Sequence, residues 1–472
     1  MVEPNLLDTG TARSTVSQGD EPILSRLNRY GFRLVMLADL VVLSVVLFGT
    51  MWVRFGWDWP TYSVATYLAS FAIVLLVFGS SLYLGGLYER EPRLGASPAL
   101  PRAARQMLAA GGLFALLRLA VPGLGQQFDV TTGVALALPL PNLVVLIVVG
   151  AIGVAGNRWL VHRLRTHREG PPRVVLAGDT ADVEVARRHL DEDRARAIVV
   201  AEVLDPSQVL DTLQREQATD LVVVTGEWVT ALYPEQVRVL DRLVVPVLVR
   251  VTARETLFGL ERIREIGGLP FVLLRTQTMP RSRAHFKRLF DLIVLLAFLP
   301  VILVVLFVIA LYQAVVVGRP LLYWQPRVGA RGRVFRIVKF RTMVPGAEAD
   351  GRGARLAERD DPRIIPACRW VRATRMDELP QLWNVLRGEM SLVGPRPERP
   401  ELAREFERQI PGYERRHELP PGLTGLAQVN GRYHTDPEYK LGYDLQYLVN
   451  WSAVLDIEIL LRTVWVVLAR RL

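Results

Sequence analysis

The chain has 472 residues, half of them hydrophobic, a net charge of +10, and one cysteine, Cys368. That length asks for two or more domains, and a chain both apolar and basic is expected to meet a membrane, anionic lipid or phosphorylated substrates. The same figures exclude an intrachain disulfide and speak against a His/Cys metal centre, and no zinc spacing, basic zipper or aromatic RNA motif supports nucleic-acid binding.

Residues 1–21 are polar, too hydrophilic for a signal peptide, and are expected to be disordered. A helical membrane domain is expected over 22–168, built on apolar segments at about 34–54, 62–88, 104–121 and 133–155. Each approaches or exceeds the ~20 residues that cross a bilayer. The third is weakest, with Arg118 near its end. Arg26, Arg29 and Arg33 precede the first segment, Arg90, Arg93 and Arg102 lie between the second and third, and Arg158, Arg163, Arg165 and Arg168 follow the fourth. The loops at 55–61 and 122–132 carry no Lys or Arg, so both ends of the unit are expected to face the cytoplasm.

From 172 to 279 short β-branched runs alternate with helical stretches, which argues for a parallel, doubly wound α/β domain. Its strands are expected at Arg173–Ala177, Ala197–Val203, Leu221–Thr225 and Val245–Val251. The first turn, Gly178-Asp179-Thr180, has one glycine and not a G-x-G-x-x-G fingerprint, so dinucleotide binding is weakly supported.

The apolar run 289–317 is long enough to span, but Pro300 near its middle is expected to break or kink it. Basic residues stand on both flanks: Arg281, Arg283, Lys287 and Arg288 before, Arg319, Arg327, Arg331 and Arg333 after. Two cytoplasmic ends ask for a helix that dips into one leaflet and returns. Beyond it, Gly329 and Gly332 mark a tight turn between strand-like runs, the second of which, Phe335 to Phe340, is expected to put Arg336 and neighbouring cations on one surface.

Asp377 and Glu378 lie just before Pro380, which suits the first turn of a helix. Leu382, Val385 and Leu386 then recur at helical spacing, so Asp377 is expected at or near an N-cap and Glu378 in the first turn. Read alone, the pair fits an aspartate cap with an exposed glutamate as well as an attacking or metal-binding acid oriented by its neighbour. An apolar helix over about 456–471, ending in arginines, is expected to lie on the bilayer interface.

In combination these pieces resemble the bacterial sugar transferase family, the monotopic polyprenyl-phosphate glycosyl-1-phosphate transferases. The matching stretches are Lys287-Arg288-x-x-Asp291, Gln325-x-Arg327-Val328-Gly329-x-x-Gly332, Lys339-Phe340-Arg341-Thr342-Met343, Asp361-Pro362-Arg363, Asp377-Glu378-Leu379-Pro380-Gln381-x-x-Asn384-Val385, Met390-Ser391-Leu392-Val393-Gly394-Pro395-Arg396-Pro397, Pro421-Gly422-x-Thr424-Gly425 and Tyr443-Asp444-x-x-Tyr447. The resemblance covers about 281–472. It implies a membrane helical bundle, a Rossmann-like α/β domain, and an α/β phosphoglycosyl transferase domain with a re-entrant helix. It further implies a Mg²⁺-dependent transfer of a hexose-1-phosphate from a UDP-sugar to undecaprenyl phosphate at the inner face of a bacterial cytoplasmic membrane, starting exopolysaccharide, capsule or O-antigen synthesis. Asp377 is then the nucleophile, and Glu378 holds metal with it or helps activate the acceptor. Arg372, Arg396, Lys339 and Arg341 hold phosphate or substrate, and Pro300 is the break in the dipping helix. A homo-oligomer is compatible with this. Two positions depart from the family pattern: Arg375 stands where a small hydroxyl residue is usual, and Pro420 where an arginine is usual. The rival reading is a non-catalytic membrane scaffold or regulator that binds a nucleotide through the middle domain. An NAD-dependent dehydratase lacks its glycine-rich turn.

Overall fold

A computed structural model describes residues 31–58, 64–89, 93–95, 98–120, 138–192, 197–243, 245–251, 264–266, 269–274, 279–344, 346, 361–430 and 436–468. The polar N-terminus, Arg26, Arg29 and Arg90, the loop 122–132 and the side chain of Arg118 lie outside these residues. The chain divides into two compact units.

The first takes in the chain up to Tyr83, with Leu87–Glu89 and Pro98–Leu164. It contains the helices α1 (Gly31–Phe55), α2 (Val64–Leu84), α3 (Ala99–Ala120) and most of α4 (Leu140–Glu169). Leu43, Leu47, Phe78, Met107, Phe114 and Leu146 form its core. α4 runs well past the apolar segment, so the basic flank Arg158 to Arg168 is itself helical, and Gly170, with φ of 69°, follows its end. The buried Asp39 carboxylate takes Arg158 Nη1 on both oxygens at 2.6 Å, Asn157 Nδ2 at 2.9 Å and the Tyr88 hydroxyl at 2.9 Å. Satisfying every lone pair in this way is what makes a buried ion tolerable.

In the second unit, β1 (Arg173–Ala177), β2 (Ile198–Val203), β3 (Asp220–Val223) and β4 (Val247–Arg250) are parallel neighbours in the order β2-β1-β3-β4. A hairpin that the sequence did not announce, β5 (Arg264–Ile266) and β6 (Leu269–Leu274), closes the β4 edge antiparallel. Alternation serves both faces of β1. Val174 and Leu176 join one core, with α5 (Thr180–Glu192), while Val175 and Ala177 join the other, with α6 (Val209–Arg215), α7 (Gly226–Leu232) and α8 (Glu235–Leu243).

α9 (Arg281–Val316) is a single helix of 36 residues with Pro300 inside it, so the outright break is absent, while a bend at the proline accords with this continuity. Proline removes one N–H and crowds one carbonyl, and packing on both sides of it keeps the helix going. Toward its start Leu295 packs with Ile337, Val385 and Leu392. Toward its end Ile309 packs with Phe340 and Val371, and the Tyr312 hydroxyl donates to the Ala367 carbonyl at 2.8 Å. Phe298, Val301, Val304, Phe307 and Val315 are exposed between and beyond these contacts. Among the described residues, α1, α2, α4 and α9 are long and apolar enough to cross a membrane, and α3 falls short.

The rest of this unit consists of the antiparallel pair β7 (Leu322–Val328) and β8 (Val334–Phe340), α10 (Arg369–Ala373), α11 (Leu382–Arg387), β9 (Ser391–Val393), α12 (Pro400–Gln409), β10 (Gly422–Thr424), α13 (Leu426–Asn430), α14 (Pro437–Asn450) and α15 (Ala453–Leu468). β9 and β10 pair parallel across a contact that admits no side chain. A Cβ on Gly422 would stand 2.0 Å from the Gly394 nitrogen, so the two glycine motifs of the sequence are the two halves of one backbone junction.

Candidate active site

The acid pair sits on a 3-10 turn, Met376–Gln381, between α10 and α11. Here the structure departs from the expected cap. Arg375 occupies the N-cap position without a side-chain cap bond, and Asp377 and Glu378 lie inside the turn, both buried. With Pro380 as its fifth residue, the turn is held instead by the Glu378 N–H donating to the Arg375 carbonyl at 3.1 Å. Asn384, buried one turn later, fastens α11 to β8: its Oδ1 accepts from the Val338 N–H at 3.3 Å and its Nδ2 donates to the Arg336 carbonyl at 2.9 Å. This fixes the height of the acid pair over the strand that carries Lys339.

Three cations converge on one oxygen. Glu378 Oε1 receives Lys339 Nζ at 3.0 Å, Arg375 Nη1 at 3.3 Å and Arg396 Nη2 at 3.3 Å. They come from a strand, from the turn itself and from the Gly-Pro-Arg-Pro segment after β9. Arg372, in the last turn of α10, donates to the Thr342 hydroxyl at 3.4 Å. Arg341 is not brought into this group, since its Nη2 donates to the carbonyls of Val317 and Gly318 at 3.1 Å each, closing the end of α9. Arg336 and Lys339, three residues apart on one strand, project to opposite faces, so the cations of β8 do not share one surface.

Two arginines that the sequence did not single out for the site hold the Gly-Pro-Arg-Pro segment. Arg416, buried, donates to the Arg396 carbonyl at 3.0 Å and pairs with Asp444 at 2.8 Å. Arg327 donates to the Pro397 carbonyl at 3.1 Å. Arg327 stands in a matched stretch, whereas Arg416 lies in none, and only the fold shows that both prop this segment.

Burial and the neighbouring Glu378 charge push the Asp377 carboxyl up to about 6, against the pull of Lys339, Arg372 and Arg375. Burial would raise Glu378 too, but Lys339, Arg396 and Arg375 together outweigh it and hold that carboxyl well below the usual range. Two adjacent acids are thus pushed apart, one permanently ionised and one poised, a division of labour common at reaction centres. Asp377 Oδ1 is buried and has no hydrogen-bond partner among the described residues.

The Mg²⁺ implied by the resemblance was tested against these side chains. Among the described residues there is no group of three His, Cys, Asp or Glu that could hold a metal ion. Mg²⁺ needs only one or two carboxylates where substrate phosphates complete its shell. The acid pair fits that requirement with the oxygens left once Asp377 Oδ1 is kept for attack and Glu378 Oε1 for its three cations.

His417 lies in the 3-10 turn Tyr413–Glu418 that carries Arg416, its Nε2 3.6 Å from Glu407. Burial and the Arg416 charge depress it to about 4. The unfolded chain binds this proton near pH 6.5 and the folded chain only near 4, so stability is full above 6.5 and is lost as pH falls toward 4. The expected loss is about 3 kcal/mol. Thermal unfolding from pH 7 to 4 checks it: His417→Gln should lose less stability over this window, and an identical loss would exclude His417 as the source.

A family model described as bacterial sugar transferase matches residues 282–470. A UDP-glucose:undecaprenyl-phosphate glucose-1-phosphate transferase of Klebsiella pneumoniae is 39% identical over 209 residues, 43% of this chain and 44% of the relative. A UDP-N-acetylgalactosamine-undecaprenyl-phosphate N-acetylgalactosaminephosphotransferase of Aeromonas hydrophila is 41% identical over 152 residues, 32% and 36% of the two chains. The uncharacterized sugar transferase EpsL of Bacillus subtilis is 44% identical over 185 residues, 38% of this chain but 85% of EpsL. The match thus spans less than half the length of the first two relatives and most of the third. With its long apolar helices the protein is a multi-pass inner-membrane protein whose C-terminal domain is cytoplasmic. The 85% coverage of EpsL, the family match over α9 to α15 and the acid pair ringed by cations lead to one assignment: the chain belongs to the bacterial sugar transferase family.

Proposed function

We propose that the chain transfers a hexose-1-phosphate from a UDP-sugar to undecaprenyl phosphate at the cytoplasmic membrane face, with Asp377 as nucleophile, and so initiates exopolysaccharide, capsule or O-antigen synthesis. One observation carries the reading: a buried, unpartnered Asp377 oxygen beside a carboxylate that gathers three cations. Asp377 Oδ1 attacks the β-phosphorus of the donor. A carboxyl O–P bond forms as the bond from that phosphorus to the bridging oxygen breaks, and UMP leaves with the electron pair. A phosphate oxygen of the lipid then attacks the same phosphorus and expels Asp377 as a carboxylate, giving a lipid diphosphate sugar. An acyl phosphate is a good donor, so one hard displacement becomes two easier ones. Lys339, Arg372 and Arg396 stabilise the charge that spreads over the transferring oxygens. Mg²⁺, when bound, would be held by a carboxylate oxygen of the acid pair other than the attacking Oδ1, together with oxygens of the diphosphate, and would supply further positive charge there.

Membrane placement is part of the proposal. α9 packs against one globular unit both before and after Pro300, which supports a helix that enters the bilayer and returns over one that delivers its ends to opposite sides. Val454, Ile457, Leu461, Val464 and Trp465 form an exposed apolar stripe along α15 that suits the lipid interface. The strand order β2-β1-β3-β4 supports a Rossmann-like reading of the middle domain.

UMP release from a panel of UDP-sugars, measured in purified membranes with Mg²⁺ and undecaprenyl phosphate, tests the assignment. Release is expected from at least one UDP-hexose, and silence across the whole panel would sink it.

A further inference from the structure

Arg375 is one of the non-glycine residues with positive φ among the described residues. The residue is left-handed, with φ of 57° and ψ of 18°. Its N–H donates to the Arg372 carbonyl at 3.0 Å and its own carbonyl accepts from Glu378. This is the reversal that ends α10 and turns the chain between Arg372 and Asp377, whose carboxyl the Arg372 charge pulls down. Glycine or asparagine is the ordinary occupant of such a position, because a Cβ crowds the following carbonyl. A long cationic side chain held there against backbone preference points to a role for that side chain.

Its placement says which role. Glu378 Oε1 neutralises one charge yet collects Lys339, Arg375 and Arg396. With Asp377 as a second carboxylate beside them, these cations form a cluster whose donors match the oxygens of a polyanion. Within it, Lys339 is the most buried, its side chain 18% exposed, whereas Arg375 and Arg396 are exposed to 34% and 39%. Arg375 is also two residues from Asp377, whose Oδ1 is the open oxygen. A carboxylate oxygen offers a guanidinium the same charge-assisted bond as a phosphate oxygen.

We propose that Arg375 binds the leaving phosphate of the donor's diphosphate, and that Glu378 holds the guanidinium in place when no diphosphate is bound. The inference rests on the transferase reading above and adds a substrate contact to it. On donor binding the guanidinium exchanges the Glu378 oxygen for a phosphate oxygen. Lys339 and Arg396 stay on Glu378.

Binding of UDP to the purified full-length protein, measured by calorimetry, tests this without requiring turnover. Arg375→Gly should weaken UDP binding about tenfold or more, with a Tm at or above that of the wild type because glycine suits the left-handed position. Arg375→Lys should recover part of the affinity, keeping the charge but losing the fork. In turnover, the glycine variant should show a raised KM for the UDP-sugar and weaker inhibition by UMP. Unchanged UDP affinity in Arg375→Gly overturns the proposal, as does a wild type that binds no UDP. A fall in kcat with UDP affinity unchanged also overturns it, since that is the mark of a residue that only orients Glu378. Absence of UMP release by a wild type that binds UDP in an Arg375-dependent way would instead count against the transferase reading and leave this contact standing.

Discussion

Asp377→Asn is expected to lower UMP release by at least about 10³-fold while leaving the protein as stable as the wild type or more so. The two halves of this expectation come from one cause. Burial raises the Asp377 carboxyl to about 6, so the fold resists the ionised form that the chemistry needs. Near neutral pH the group is mostly ionised and its charge costs stability. Asparagine keeps the shape, removes that cost and removes the nucleophile. A functional group that the fold would rather not hold is what a stability–activity trade-off looks like at a single residue. Single-turnover assay with labelled UDP-sugar reads the first half and thermal unfolding the second. An Asn variant that retains label and turnover, with deamidation excluded by mass spectrometry, would remove Asp377 from the mechanism. Glu378→Gln should behave oppositely in stability, since it leaves Lys339, Arg375 and Arg396 facing one another without their shared anion.

Lys287→Met is expected to destabilise the cytoplasmic unit by about 3–5 kcal/mol, roughly 10 °C in Tm. Lys287 Nζ lies 2.8 Å from Asp456 and 3.7 Å from Asp291, and all three side chains are buried. Asp456 also accepts from the Tyr447 hydroxyl at 2.7 Å and from Trp451 Nε1 at 3.0 Å, while Asp291 accepts from the Ser391 hydroxyl at 2.7 Å. Among the described residues the lysine is thus the cation paired with two buried acids that tie the start of α9 to β9 and α15. Removing it strands both charges, and neutral donors do not replace a counter-ion at low dielectric. Adding Asp456→Asn to the Met variant should return part of the loss, because one stranded charge then disappears. A Tm for Lys287→Met within 1–2 °C of the wild type, or no recovery in the double variant, would show that the network is not the anchor its geometry indicates.

Much of this protein was legible before any coordinates. Hydropathy marked α1, α2, α4 and α9, alternation and β-branching marked β1 to β4, and the contiguous motifs around Asp377, Gly394 and Gly422 marked the site. These are local properties: a few neighbouring residues decide period, turn and dihedral preference. Even there, local rules erred where several competed. Pro300 suggested a break or a kink, but the outright break is absent, because contacts before and after it hold α9 continuous. Pro380 suggested a helix start with an aspartate cap, but the acid pair lies inside a 3-10 turn.

What the amino-acid order alone determined was the inventory: a membrane-seeking first third, a parallel sheet, an acid pair and an abundance of arginine. Which arginines matter was decided only by tertiary packing. Lys339, Arg375 and Arg396, separated by up to 57 residues, meet at one oxygen, while Arg341, in the same motif as Lys339, closes the end of α9. Every guanidinium carries the same charge along the chain. Its partner depends on which strand, turn or helix end lies within a few ångströms, and that distance is set by how Asn384, Arg416 and the Gly394–Gly422 junction lock their segments together.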